Sequence, residues 1–191
     1  SYAETSGIKI SIKTRLGYYD PDEFYDLVDI FNLFPISELI VHPRIRADFY
    51  KGTPRKEYFA YALEHAKCPL VYNGNINSVD DCEELCRTLG KDLDPVMLGR
   101  GLISDPSLAG KLKGEAPEKD LSKFMKLHDT LYHEYQKVMS PDINVLYRMK
   151  ELWTYWKPQF TGKEREIKRL LKTKKYKEYE DAVSAVISTY L

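Results

Sequence analysis

Four polar clusters in the first hundred residues combine types that handle an anion. Lys13 stands in Ile12-Lys13-Thr14-Arg15-Leu16-Gly17, and His42 in Val41-His42-Pro43-Arg44-Ile45-Arg46. The third is Asn73-Gly74-Asn75-Ile76 and the fourth Met97-Leu98-Gly99-Arg100-Gly101. A lysine followed two positions later by an arginine puts two cations on one side of a strand. A histidine can donate to a phosphate or a ring carbonyl. Gly74 permits close approach of backbone to a ligand. Two glycines around Arg100 expose backbone N–H groups that can cradle a phosphate, which the guanidinium neutralises. Taken singly, each cluster also has a plainer use: a strand end reaching water, a structural histidine, a chain-reversing turn, or solvated salt bridges at Arg15 and Arg44.

Their placement is regular. Each follows a short apolar run: Ile8–Ile12, Glu38–Val41, Pro69–Tyr72 and Pro95–Leu98. The run ends lie about 30 residues apart, the length of a strand-helix repeat. Helical patterns fill the gaps at Pro21–Phe34, Arg55–His65 and Val79–Leu89, the last with Ser78 as N-cap and Asp80 and Asp81 in its first turn. Such alternation predicts a parallel sheet covered by helices. An open doubly wound sheet and a (β/α)₈ barrel both fit that pattern. The barrel is preferred because all four clusters sit at C-terminal strand ends, which a barrel gathers at one mouth. In that reading Ile8, Ile10 and Ile12 face helices, while Lys9, Ser11, Lys13 and Arg15 face the interior. Four units make half a TIM barrel. The expectation is therefore a fragment whose open edges are covered by the other half, by another chain or by self-association.

After Asp105-Pro106 the rhythm stops. A Gly- and Pro-containing linker, 113–119, leads into helical patterns: Phe124, Leu127, Leu131 and Tyr135; then Val145, Met149, Leu152 and Trp156, opened by Ser140-Pro141-Asp142; then a third from about Lys163 to Tyr190. The division read here is 1–112 as α/β half-barrel and 113–191 as an all-α helical bundle. Charge divides similarly. The formal net charge is zero, but residues 1–118 hold 14 Lys+Arg against 19 Asp+Glu, and residues 119–191 hold 15 against 10. Eight of these cations fall within 163–177, against Glu164 and Glu166. Such a stretch can track phosphates without reading sequence, although charged helices are also ordinary solvated faces.

Composition excludes several classes. At 43% hydrophobic and 30% charged residues, this is the balance of a globular protein, and no apolar run nears the ~20 residues of a membrane span. Cys68, Cys82 and Cys86 have neither zinc nor disulfide spacing, which points to a reducing, cytoplasmic setting and no metal site.

Brought to one mouth, the four clusters suit a single phosphorylated ligand such as flavin mononucleotide, FMN. Together they resemble the tRNA-dihydrouridine synthases. Lys13-Thr14-Arg15-Leu16-Gly17 is similar to that family's Lys-x-Arg-x-Gly. His42 to Arg46, with Tyr50 and Gly52, is similar to its His-Gly-Arg-Thr-Arg segment and downstream Tyr and Gly. Asn73 to Ile76 resembles Asn-Gly-Asp-Ile, and Met97 to Gly101 with Asp105-Pro106 resembles Met-x-Gly-Arg-Gly and Asn-Pro. Pro43 replaces a glycine and Asn75 an aspartate. Arg148-Met149-Lys150 before Trp153 and Tyr155 looks like the family's helical RNA-binding region.

The resemblance implies the second half of an FMN-binding barrel, NADPH as reductant and uridine in tRNA as substrate. Lys13, His42, Asn73, Gly74, Asn75, Gly99 and Arg100 are the expected cofactor contacts. Arg15, Arg44, Arg148, Lys168, Arg169, Lys172, Lys174 and Lys175 are the expected substrate and tRNA contacts. In the family, a cysteine in an Asn-x-Gly-Cys-Pro loop protonates the base. None of the three cysteines here has that setting, so no catalytic residue is assigned and the chain alone is expected to be inactive. Two rival readings are another FMN-dependent barrel oxidoreductase acting on a small molecule, and a non-catalytic RNA-binding module.

Overall fold

Parallel pairing organises the first part of the molecule. The computed structural model describes residues 7–115 and 121–188. Among these, β1 (Ser11–Arg15), β2 (Glu38–His42), β3 (Leu70–Asn73) and β4 (Val96–Met97) form one sheet in sequence order, every neighbouring pair parallel. The helices α1 (Glu23–Phe31), α2 (Lys56–His65) and α3 (Val79–Leu89) separate them, and α4 (Arg100–Ser104) follows β4. The register pairs Arg15 with His42, Val41 with Tyr72, and Asn73 with Met97. Arg15, His42, Asn73 and Met97 thus make one row along the C-terminal end of the sheet. In a parallel sheet such a row points its side chains to one face.

The helices pack on apolar residues of the sheet. Leu39, Val41, Phe24, Val28, Phe59 and Ala62 are all fully buried, and the Phe59 ring meets Tyr72 edge-on at 5.0 Å. Apart from Ala62, each such side chain contributes roughly 1.5–3 kcal/mol on burial. Asn32, just past α1, accepts from Lys67 N–H and donates to His65 O, which ties the ends of α1 and α2 together. Ser78 caps α3 as expected: its hydroxyl accepts from Asp81 N–H, and the Asp81 carboxylate answers Ser78 N–H.

The first strand differs from its reading. Pairing begins at Ser11, so β1 runs to Arg15 instead of Ile8 to Ile12, and Lys13 is mid-strand. Ile8 and Ile10 are 56% and 45% exposed and do not pack against helices; Leu16 is the buried apolar residue here. The cause is register. Ser11 sits opposite Glu38, the first residue of β2, and both the amide and hydroxyl of Ser37 close the ladder on Ile10 O.

The molecule divides between Gly101 and Leu102. Residues 102–104 are drawn to the second unit because Trp156 Nε1 donates to Ile103 O and Gln159 to Ser104 O. The second unit's described elements are all helical: α5 (Leu108–Leu112), α6 (Leu121–Val138), α7 (Asp142–Trp156), α8 (Glu164–Leu170) and α9 (Tyr176–Ile187). Val145, Met149, Trp153, Trp156, Leu170 and Val183 belong to its core. α7 starts on Pro141 with no side-chain cap, so Ser140 does not cap it. The pattern read as running from Lys163 to Tyr190 is two helices. They are broken where buried Thr173 donates its hydroxyl to Leu170 O and accepts Lys150 Nζ on its carbonyl. Tyr190 and residues 116–119 of the linker lie outside the described residues.

One polar chain crosses this apolar core. Trp153 Nε1 donates to Tyr179 Oη at 2.9 Å, Tyr179 Oη lies 2.7 Å from His128 Nε2, and His128 Nδ1 lies 2.8 Å from Asp129 Oδ1. These pairings satisfy the buried Trp153 N–H, the Tyr179 hydroxyl and both nitrogens of His128, which the helical periodicity alone placed nowhere in particular.

Candidate functional site

The row at the sheet's C-terminal end opens into a cleft of about 440 Å³. Lys13 and Arg15 from β1, His42 and Arg44 from the end of β2, Asn73 to Asn75 after β3, and Gly99 and Arg100 after β4 all line it. Every first-unit residue expected from sequence to contact cofactor or substrate is therefore brought to one place, whatever its role there. The reason is topological: parallel strands in order deliver all four C-terminal ends to the same edge. The lining contains four cations and no carboxylate.

Arg44 is the most enclosed of the four, at 1% exposure. Its Nη1 donates to Asn75 Oδ1 at 3.2 Å and lies 3.3 Å from His42 Nε2, and its Nη2 donates to Gly52 O. Its Nε is buried with no partner. This cation is thus held by neutral groups, without a carboxylate among those bonds. Asn75 presents its side chain from a left-handed backbone, φ 43°.

Arg15 is spent on the backbone too. Its Nη1 donates to Ile45 O at 2.9 Å and Phe49 O at 3.0 Å. Arg15 and Arg44 therefore grip the 45–52 segment from either end. Between those grips Tyr50 overhangs the cleft: the Arg100 guanidinium lies 4.3 Å from its ring centroid and that of Arg15 5.6 Å. Tyr50 was visible in sequence only as a motif residue downstream of His42, and its position above Arg100 had no sequence signal.

The last two loops interlock at Gly101. A Cβ there would lie 2.1 Å from Ile76 O, so only glycine lets the Gly99-Arg100 turn close on the Asn73–Asn77 loop. Asn73 adds a second tie by donating Nδ2 to Met97 O. Asn77 also lines the cleft, although it lies outside the four clusters read from sequence.

The field of the cleft shows in its titratable groups. His42 is pushed from its ordinary 6.5 down to about 4, first by burial and then by Arg15, Lys13, Arg44 and Arg100. Burial, then Arg15, likewise lower Lys13. His42 is therefore neutral near pH 7, and the surrounding positive charge favours an anionic ligand.

The other candidates lie in the second unit. Arg148 on α7, Lys168 and Arg169 on α8, and Lys172, Lys174 and Lys175 between α8 and α9 are all exposed. Arg148 pairs with Glu151 at 3.0 Å. Lys174 sits close enough to Lys150 to lower its pKa, after burial. Among the described residues no group of side chains could hold a metal ion, and no helix is long and apolar enough to cross a membrane.

Comparison with known proteins agrees in one direction. The family model described as dihydrouridine synthase (Dus) matches residues 3–189. A probable tRNA-dihydrouridine synthase of Staphylococcus epidermidis is 31% identical over 140 residues, 71% of this chain and 42% of its own length. A probable tRNA-dihydrouridine synthase 2 of Bacillus subtilis has the same identity and coverage. A tRNA-dihydrouridine(16) synthase of Pseudomonas syringae is 35% identical over 115 residues, 56% of this chain and 35% of its own. The chain thus spans about two-fifths of the length of the curated relatives it matches. With the family match running through both units, this chain belongs to the dihydrouridine synthase family.

Proposed function

We propose that this chain supplies the second half of an FMN-binding (β/α)₈ barrel and, over 113–191, a tRNA-binding helical region. The enzyme it serves would be cytoplasmic and would reduce uridine in tRNA to dihydrouridine, with NADPH as reductant. The observation that carries this reading is the cleft lined by four cations and no carboxylate at the C-terminal ends of four parallel strands.

The residues present fit FMN. The interlocked Asn73–Asn77 and Gly99–Gly101 loops offer backbone and the Arg100 charge to its phosphate, and the unpartnered Arg44 Nε marks a cation short of an acceptor. Lys13 and His42 would lie toward the ring and ribityl chain or the phosphate. When bound, FMN would carry the two electrons from NADPH to the C5–C6 bond of the base. Within this chain, Lys13 and Arg100 supply positive charge to the bound groups, Arg15 and Arg44 add theirs while holding the 45–52 segment beside the cleft, and neutral His42, its Nε2 accepting from Arg44, offers its Nδ1–H as a donor. None of Cys68, Cys82 and Cys86 lines the cleft, so no proton donor is assigned, and the chain alone is proposed to be inactive.

Flavin titration tests the cleft: saturable quenching is expected for the wild type and a strong loss in Arg100→Ala. Equal responses from both would refute the assignment. The expected activity pattern is dihydrouridine formation by a protein extended with the other half of the barrel, and none by this chain. Turnover of tRNA by the chain alone would overturn that division. On the helical side, removing Lys172 and Lys175 should make the plot of log affinity for tRNA against log salt shallower, by about one in slope for each phosphate they neutralise.

A further inference from the structure

Two side chains of the cleft are turned by the same buried cation. Arg44 directs Nη1 at Asn75 Oδ1, 3.2 Å away, and at His42 Nε2, 3.3 Å away. A guanidinium carries donors only, so the atom that faces it must accept. This fixes the Asn75 amide: Oδ1 is turned back to Arg44, and the other fork, Nδ2 with its two N–H groups, is left for the cleft. Asn75 is exposed and lines the cleft, and among the described residues Nδ2 has no acceptor.

The backbone keeps this amide in place. Asn75 takes φ 43°, a left-handed conformation that asparagine tolerates better than most residues. Its loop packs on His42, since a Cβ at Gly74 would lie 3.5 Å from His42 Cδ2. The same loop is locked to the Arg100 turn, because a Cβ at Gly101 would lie 2.1 Å from Ile76 O. Arg100 acts on Arg44 as well: the Arg44 pKa is lowered first by burial and then by the Arg100 charge. Asn75, Arg44 and Arg100 thus share one field.

Aspartate has nearly the same shape as asparagine and would also accept from Arg44; it is the residue of the motif that this loop resembles. It would neutralise the buried guanidinium and offer the cleft acceptors only. Asparagine does the reverse: Arg44 keeps its charge, and the outward group is a donor. The Asp48 carboxylate, which also acts on Arg44, is taken up by Arg55 and by Ile45 N–H. We propose that Asn75 sets the specificity of the cleft for a phosphate monoester: its Nδ2 donor and the uncompensated Arg44 favour the dianionic phosphate of FMN over a flavin that lacks one. This rests on the flavin reading above and deepens it. A dianion gains from each added donor and positive charge, whereas the uncharged flavin ring gains little.

The test compares FMN with riboflavin, which has the same ring and ribityl chain without the phosphate, by fluorescence quenching on the full chain. The wild type is expected to bind FMN more tightly than riboflavin. Asn75→Asp should shrink that preference about tenfold, the effect of losing one hydrogen bond to a charged group. Asn75→Gly suits φ 43° and removes the donor without adding charge, so it should shrink the preference less. Asn75→Asp keeps an acceptor for Arg44 and should melt no lower than the wild type; a lower melting temperature overturns the Arg44 contact and the proposal with it. A preference unchanged in both variants, an equal loss on FMN and riboflavin, or equal wild-type affinity for the two overturns the role of Asn75 and leaves the flavin reading standing. No flavin bound by the wild type overturns both.

Discussion

The guanidinium of Arg44 lies 3.3 Å from Nε2 of His42, and both side chains are buried. Nη1 of a guanidinium only donates, so the imidazole nitrogen facing it must accept. The pair works only with His42 neutral, and the depressed pKa of His42, about 4, agrees.

From this follows a pH dependence. The folded value lies below the ordinary 6.5, so the unfolded chain takes up the proton first and stability falls as pH drops from about 6.5 to about 4. His42→Gln should flatten that part of a plot of denaturation midpoint against pH. An NMR titration of the wild type should show the imidazole still neutral at pH 5. A phosphorylated ligand in the cleft should raise the value, because it screens the four cations.

Arg44 and Arg100 should separate stability from binding. Arg44 is 1% exposed and ties Gly52 O and Asn75 together, so Arg44→Ala leaves buried acceptors unmet and should cost about 1–3 kcal/mol of stability. Arg100 is exposed over Tyr50, so Arg100→Ala should leave the melting temperature nearly unchanged while weakening FMN binding. Melting curves and flavin titrations of the two variants together check the contrast.

Gly101→Ala should do more harm than a methyl group usually does. The new Cβ would lie 2.1 Å from Ile76 O, so the Gly99-Arg100 turn must move away from the Asn73–Asn77 loop. Overpacking of this kind costs about 1–3 kcal/mol. FMN affinity should drop with it, whereas Gly99→Ala, with no atom within 4 Å of its Cβ, should retain the fold.

In the second unit, Tyr179→Phe removes the hydroxyl between Trp153 Nε1 and His128 Nε2. Two buried polar groups lose their partner, at a cost of about 1–3 kcal/mol. The melting temperature should fall while FMN binding, proposed for the cleft of the first unit, stays as it was.

How far the sequence leads can be judged from particular residues. Period and punctuation placed β2, β3, α2 and α3 nearly to the residue, because apolar runs, the Ser78 cap and the glycines are local signals. They misplaced β1, since Ile8, Ile10 and Ile12 alternate as a strand should, yet the ladder begins only where Glu38 offers a partner. They joined α8 and α9, since nothing local announces that the Thr173 carbonyl will accept Lys150.

The site divides the same way. That lysine, histidine, Asn-Gly and Gly-Arg-Gly would gather at one edge follows from the sequence, because parallel units of about 30 residues deliver every C-terminal strand end to the same side. Which arginine faces a ligand and which grips a carbonyl was decided only by the folded structure. Arg15 and Arg44 look alike in the chain, but the 45–52 segment folds back between them and takes up their donors. Chain order is encoded by local periodicity, whereas donor-acceptor pairing depends on segments distant in the chain meeting, and only packing brings them together.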